Sequence, residues 1–189
     1  MLFRSVLYHE LLDARRALRT FASPADQPPD CDDVSYWTDY APGGSADFAG
    51  ESAAHARYVR IAAAAYPPGA LAWEWSETAA AAVRAGRACG HRAVTTQGHV
   101  LTVAGFAATL AVEAAVHYLD LTVALPAAPA PEPASLTLVR RVLAGLLGAQ
   151  VPAAWDDVTA ALKGTGREPL TEADRQALGP LAARFPLFA

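Results

Sequence analysis

The stretch from Thr102 to Leu125 constrains the fold most. Thr102 is a good helix N-cap, Pro126 cannot continue a helix, and between them apolar positions surround the helix almost completely. A helix that is apolar on nearly every side must sit among others, so the expected fold is all-α, with this helix the most buried. The same stretch is not a membrane span. Thr102, Gly105, Thr109 and Glu113 interrupt Leu101–Val116 well short of the ~20 apolar residues a span requires.

Three further helices are expected before it. From Phe3 to Phe21, Val6, Leu7, Leu11, Leu12, Leu18 and Phe21 recur mostly at three- and four-residue intervals, with Arg15, Arg16 and Arg19 toward the C-terminal end favoured by the macrodipole. A second helix runs from about Asp47 to Tyr66 and ends at Pro67 and Pro68. A third runs from about Ala70 to Cys89 and is stopped by Gly90. Residues 22–47 form a long loop around Tyr36, Trp37 and Tyr40, and loops of that length are often functional. The β-branched, polar residues 93–101 predict a short extended segment or loop. After the fourth helix, residues 126–134 read as a stiff Pro/Ala linker of polyproline type, followed by a small helical extension, 135–189, with helices near 135–147, 152–163 and 171–184. No internal repeat is present.

Composition narrows the function classes. A chain of 189 residues, 53% hydrophobic and 18% charged, suits one domain or one domain with an appendage, here 1–125 plus the extension. Alanine makes up roughly a quarter of the chain, far above average usage. Cys31 and Cys89 are too few for a disulfide framework and lack metal-finger spacing. A net charge of -4 with scattered arginines leaves no nucleic-acid footprint. No signal-peptide pattern precedes Tyr8, His9 and Glu10, so a cytoplasmic location is expected. Fourteen of fifteen basic residues are arginine, which with the alanine excess suggests a high-GC bacterial source.

The chemistry concentrates in Glu113-Ala-Ala-Val-His117, an i,i+4 pair whose carboxylate and imidazole project from one helix face. Both are costly to bury unless paired or metal-bound. Asp120, one turn on, is placed to accept the second ring N–H of His117. The first helix carries His9 with Asp13 at i+4 and Arg16 one turn beyond. If the first and fourth helices pack together, His9, Glu113 and His117 form a three-ligand site with a position open for water or substrate, a set that suits zinc or another divalent metal. The competing reading is an internal Glu113–His117 pair with His9 on the surface.

Thr109-Leu-Ala-Val-Glu-Ala-Ala-Val-His-Tyr-Leu-Asp-Leu121 resembles the Val-Glu-x-x-x-His-x-x-Asp-Leu helix of the mycothiol-dependent maleylpyruvate isomerase N-terminal domain family, within the DinB-like metalloproteins. Leu7-Tyr-His-Glu-Leu-Leu-Asp-Ala14 resembles that family's other ligand helix, and the likeness spans about residues 5–125. It implies a DinB-like four-helix bundle holding a divalent metal, typically zinc, through His9, Glu113 and His117. It also implies a low-molecular-weight thiol, mycothiol in actinobacteria, which the metal holds as thiolate. Family members usually have a further helix before the His helix, whereas only eight residues precede His9. Either the start is shortened, or the bundle is expected to be completed by the second helix, the extension or a partner chain, as in a homodimer. The extension does not look like the isomerases' α+β C-terminal domain.

Two functions follow as expectations. One is a thiol-using metalloenzyme, an S-transferase or isomerase of a small electrophile, with His9, Glu113 and His117 catalytic, Arg16 holding an anionic group, and the 22–47 loop covering an apolar substrate. The other is a non-catalytic metal-binding or stress-associated helical protein. Elsewhere, His55 is expected in solvent and His99 near the mouth of the site. Trp37, Trp73, Trp75 and Trp155 are expected in packing, and Cys31 and Cys89 as structural thiols. Gly164-Thr-Gly166 is too short for a phosphate loop.

Overall fold

A computed structural model describes residues 2–41, 46–90, 92–125 and 127–188, without the side chains of residues 2 and 46–52. The described chain is mostly helical: α1 Leu2–Phe21, α2 Ala46–Ala65, α3 Ala70–Ala88, α4 Val103–Thr122, α5 Pro133–Leu147, α6 Asp157–Gly164 and α7 Glu172–Leu178. Strands β1 Ala93–Thr96 and β2 His99–Thr102 and two short 3-10 helices, Ser35–Tyr40 and Gly179–Arg184, complete it. Among the described residues no helix is long and apolar enough to cross a membrane.

The ends of these elements follow local chemistry. The Thr102 hydroxyl accepts from the Gly105 amide at 2.9 Å and starts α4, and Asp156 does the same for α6 through Thr159 at 2.7 Å. Thr171 and Asp174 form a reciprocal capping box on α7. Pro133 opens α5, and Gly148, at φ 69°, closes it with a left-handed residue. The extended segment expected at 93–101 is an antiparallel hairpin pairing Ala93 with Thr102 and Thr96 with His99. Gln97 and Gly98 turn it, both at positive φ, as a tight two-residue hairpin turn requires.

Helix α1 packs against α2, α3 and α4, and α4 packs in turn against α5 and α6. The main core gathers Phe106, Val112 and Val116 of α4, Val139, Val142 and Leu143 of α5, Ala160 and Ala161 of α6, and Leu187 and Phe188 near the C-terminus. A smaller cluster joins Leu7, Tyr8 and Leu11 of α1 to Val59, Ala63 and Leu71 of α2 and α3. The expectation that α4 is the most buried helix needs correction. Helix α1 buries Val6, Leu7, Tyr8, Glu10, Leu11, Arg16, Ala17 and Thr20, whereas α4 buries Phe106, Thr109, Val112, Ala115 and Val116. Each of the two helices meets three others, but α3 lies along α1 more extensively than any helix lies along α4, so the amphipathic stripe of α1 is covered together with part of its polar face.

Several boundaries also move. Helix α4 stops at Thr122, whose hydroxyl bonds back to the Tyr118 carbonyl at 2.8 Å, and the connection to α5 turns through the Leu125 and Ala128 amides. The stiff linker expected at 126–134 is therefore a turn-containing connection, with residue 126 outside the described residues and α5 already begun at Pro133. Part of the 22–47 loop is ordered against the hairpin. Ser23 and Ala25 bond to β1, Asp30 bonds to β2, and Tyr36 and Trp37 are buried in the 3-10 helix. Positions 42–45 of that loop lie outside the described residues.

Candidate metal centre

The i,i+4 spacing on α4 places Glu113 Oε2 3.4 Å from His117 Nε2, and α1 brings His9 across from them, its ring centroid 4.6 Å from that of His117. One donor atom each from His9, Glu113 and His117 lies within 4.8 Å of the others. A separation of 3.4 Å is long for a hydrogen bond, and it matches the roughly 3.4 Å edge of a tetrahedron of donors ~2.1 Å from a zinc ion. The three expected ligands therefore converge.

The surroundings orient them. His117 Nδ1 faces Asp120 Oδ2 at 2.9 Å, which leaves Nε2 directed at Glu113. Asp120 is gripped by Arg167, whose Nε and Nη2 donate to its two oxygens at 2.7 and 2.8 Å. This carboxylate–imidazole arrangement is the one that holds metal-binding histidines in place. The His9 ring is flanked by Asp13 Oδ2, 3.5 Å from Nε2, and by His55 Nε2, 3.3 Å from Nδ1. Arg16 donates from Nε and Nη2 to Asp13 Oδ1 and from Nη1 to the Tyr36 hydroxyl and Gln97 Oε1, committing four of its five N–H groups.

A cavity of about 1060 Å³ opens over these groups. Its lining includes His9, Glu113, His117, Asp13 and Arg16, the apolar Leu12, Leu18, Val116, Trp37, Tyr40 and Phe188, and Arg15, Arg19, His55 and Arg167. Among the described residues, the buried side-chain polar atoms without a hydrogen-bond partner are Glu10 Oε1, Asp13 Oδ2 and Trp37 Nε1. Asp13 and Trp37 line this cavity, and Glu10 neighbours His117, Asp13 and Glu113 electrostatically.

Burial dominates the electrostatics. It lowers the His9 imidazole and keeps it neutral, the form that binds metals. It raises Glu10 to about 7 and also raises Asp13. Burial pushes Glu113 upward as well, but His117, His9 and Arg16 outweigh it and hold the carboxyl below its usual range. Burial would likewise lower His117, yet its bonds to Asp120 and Glu113 prevail and raise it to about 10. Asp120 is held down at about 2, because His117 and Arg167 outweigh its burial. Two carboxylates thus concentrate negative charge on His117, and a cation at Nε2 would have to displace its proton.

Sequence reasoning missed Arg167, Gln97 and the Tyr36 hydroxyl. Arg167 lies 47 positions beyond Asp120, so helical spacing gives no hint of it. His55 is exposed as expected but lies at the cavity edge beside His9. His99 does not line the cavity and instead sits between Asp30 and Asp39. Trp37 and Trp155 are buried, whereas Trp73 is 69% exposed on α3, where no described element covers it. Cys31 is raised to about 11 by burial first and then by Asp30, so it is no reactive thiolate, and Cys89 donates to the Phe21 carbonyl at 3.7 Å. Comparison of the chain with protein-family models, with curated proteins and with solved structures finds no match.

Proposed function

We propose that the protein is a divalent-metal enzyme that uses a low-molecular-weight thiol of the mycothiol kind, as an S-transferase or isomerase acting on a small electrophile. The observation that carries this reading is the convergence of His9, Glu113 and His117 beneath a cavity of about 1060 Å³. The donor set fits a cation: two imidazoles, one carboxylate, and unpartnered carboxylate oxygens on Glu10 and Asp13 nearby. Two imidazoles and a carboxylate are a borderline-soft set suited to zinc. The packing of α1 against α2, α3 and α4 supports a bundle of the DinB-like kind, with the extension laid on α4.

In this reading His9, Glu113 and His117 would hold the metal, and the chemistry it would supply is Lewis acidity that favours ionisation of a thiol near neutral pH. Asp120 fixes the His117 ring so that Nε2 stays aimed inward, and Arg167 fixes Asp120. Trp37, Tyr40, Val116 and Phe188 give the electrophile an apolar wall and exclude water. Arg16, with one N–H left uncommitted, is placed to hold an anionic group of thiol or substrate. Elemental analysis should find zinc that His117→Ala removes, and thiol consumption with a panel of electrophiles should depend on it.

One observation favours a second reading, a non-catalytic binding protein. Glu113, His117, Asp120 and Arg167 already form a continuous chain of charge-balanced contacts at 2.7–3.4 Å without any further group. A protein that purifies without metal, cannot be loaded with zinc and consumes no thiol decides for that reading.

A further inference from the structure

A second group of ligating side chains lies outside the cavity. Donor atoms of Asp30, Cys31 and His99 fall within 4.8 Å of one another, a sulfur, a nitrogen and an oxygen drawn from two separate chain segments. Asp30 is fixed before any ligand arrives: its amide donates to the Val100 carbonyl at 3.0 Å and its Oδ1 accepts from the Val100 amide at 3.1 Å. His99 Nδ1 stands 3.5 Å from Asp30 Oδ1, again close to a tetrahedral edge, and Nε2 stands 3.3 Å from Asp39 Oδ2. One imidazole nitrogen thus faces the donors and the other faces a carboxylate, as His117 does between Glu113 and Asp120.

Charge points the same way. Asp32 is committed to capping the 3-10 helix through Val34 and Ser35, and Asp33 is paired with Arg141. Among the described residues no Arg or Lys pairs with Asp30 or Asp39, so His99 alone faces two carboxylates. We infer that Asp30, Cys31 and His99 form a second divalent-metal site, in which three donors tie two chain segments together, with Asp39 orienting His99. A thiolate, an imidazole and a carboxylate suit zinc and cobalt over magnesium or calcium. The metal joins the 30–40 segment to β2 and so fixes the 3-10 helix that carries Trp37 and Tyr40 along the cavity wall. This inference does not rest on the triad binding metal.

Cobalt reads the site directly, because only a coordinated thiolate gives an intense sulfur-to-cobalt charge-transfer band in the near ultraviolet. The full chain, stripped by chelator under reducing conditions, should develop that band on titration with Co²⁺ to a final amplitude of one thiolate-bound cobalt per chain. Cys31→Ser should abolish the band and Cys89→Ser should leave it. His99→Gln, which keeps the thiol, should weaken cobalt binding at least tenfold, and Asp39→Asn roughly tenfold. His117→Ala should leave the band intact whatever the triad holds, which keeps this test separate from that of the enzyme. Absence of the band in wild type, a band that survives Cys31→Ser, or one that Cys89→Ser removes would overturn the site.

Discussion

Helix α4 has two unlike sides. Toward α5 and α6 it shares a core with Val139, Val142, Leu143, Ala160 and Ala161, all fully shielded. Gly164 has no side chain there because a Cβ would collide with the Leu143 methyls. Toward α1 it sets Glu113 and His117 against His9, Asp13 and Arg16. The first side gains free energy from every methyl it buries. The second places carboxylates and imidazoles where desolvation opposes their charged forms, and well-packed apolar residues would often be as stable or more so. A seam of that composition, beneath a cavity, is better explained by ligand binding than by stability.

The comparison breaks most sharply at the ligands themselves. We expect His9→Ala, Glu113→Ala and His117→Ala each to lower thiol-dependent turnover by roughly a thousandfold or more, equivalent to ~4 kcal/mol of transition-state stabilisation. Steady-state thiol consumption checks this, with circular dichroism confirming that the variants fold. Equal turnover by wild type and His117→Ala would remove the distinction between the two sides of α4. On the apolar side, Leu143→Ala should cost about 2–5 kcal/mol of stability in denaturant unfolding while zinc binding at the triad survives. Loss of zinc in a folded Leu143→Ala chain would show that the core, and not the polar seam, sets the site.

A smaller effect is expected one layer out. Arg167→Gln and Asp120→Asn should weaken zinc binding at the triad by roughly 10–100-fold while leaving the ligands in place, measured by competition with a chromophoric chelator. Wild-type affinity in both variants would mean that His117 needs no help in pointing Nε2 inward.

The two sides differ also in how well they could be read in advance. Glu113, His117 and Asp120 are spaced by helical turns, so their common face was legible, as was His9 with Asp13. Arg167 belongs to the site only because α6 packs against α5 and α4, a tertiary fact that no local spacing encodes. Thr102 marked the start of α4 correctly, since capping is chemistry between near neighbours, whereas Pro133 was read as linker and in fact opens α5. The burial of α1 was not legible, because α2 and α3 are alanine-rich and give no strong periodicity to say which face they turn inward. Tyr58, Ile61 and Trp73 remain 53%, 63% and 69% exposed there.

The extension offers a pH test away from the polar seam. Asp174 accepts from Lys163 Nζ at 2.6 Å and from Trp155 Nε1 at 2.7 Å, and Lys163 first, then Thr171 and Trp155, hold its carboxyl well below the usual range. A folded value depressed below the unfolded one, ~3.9, contributes stability that is fully present above about pH 4 and is lost as pH falls through the folded value. Melting temperature should therefore fall more steeply in wild type than in Asp174→Asn as pH drops below about 4, narrowing the gap between them. A gap that stays constant down to pH 2 would mean that Asp174 acts by shape and not by charge.

The smallest expected effect concerns Arg16, which belongs to both descriptions of the seam. Its guanidinium, held by Asp13 on the same helix, ties α1 to Tyr36 and Gln97 and stacks 5.8 Å from the Phe106 ring centroid, so most of its hydrogen-bonding capacity is structural. One N–H remains, and the side chain lines the cavity. Lysine at this position keeps the positive charge that offsets Asp13 but loses the planar fork that spans three partners. Arg16→Lys should therefore raise the apparent Michaelis constant for an anionic thiol or electrophile by a few-fold, up to about tenfold, with kcat and zinc content near wild type, because an interaction made equally in ground and transition states affects binding alone. Substrates that lack an anionic group should show no such change. A loss of kcat with unchanged KM would assign Arg16 to the organisation of the metal ligands through Asp13 and His9, and the anion-holding role would pass to Arg19, one turn along α1 on the same cavity.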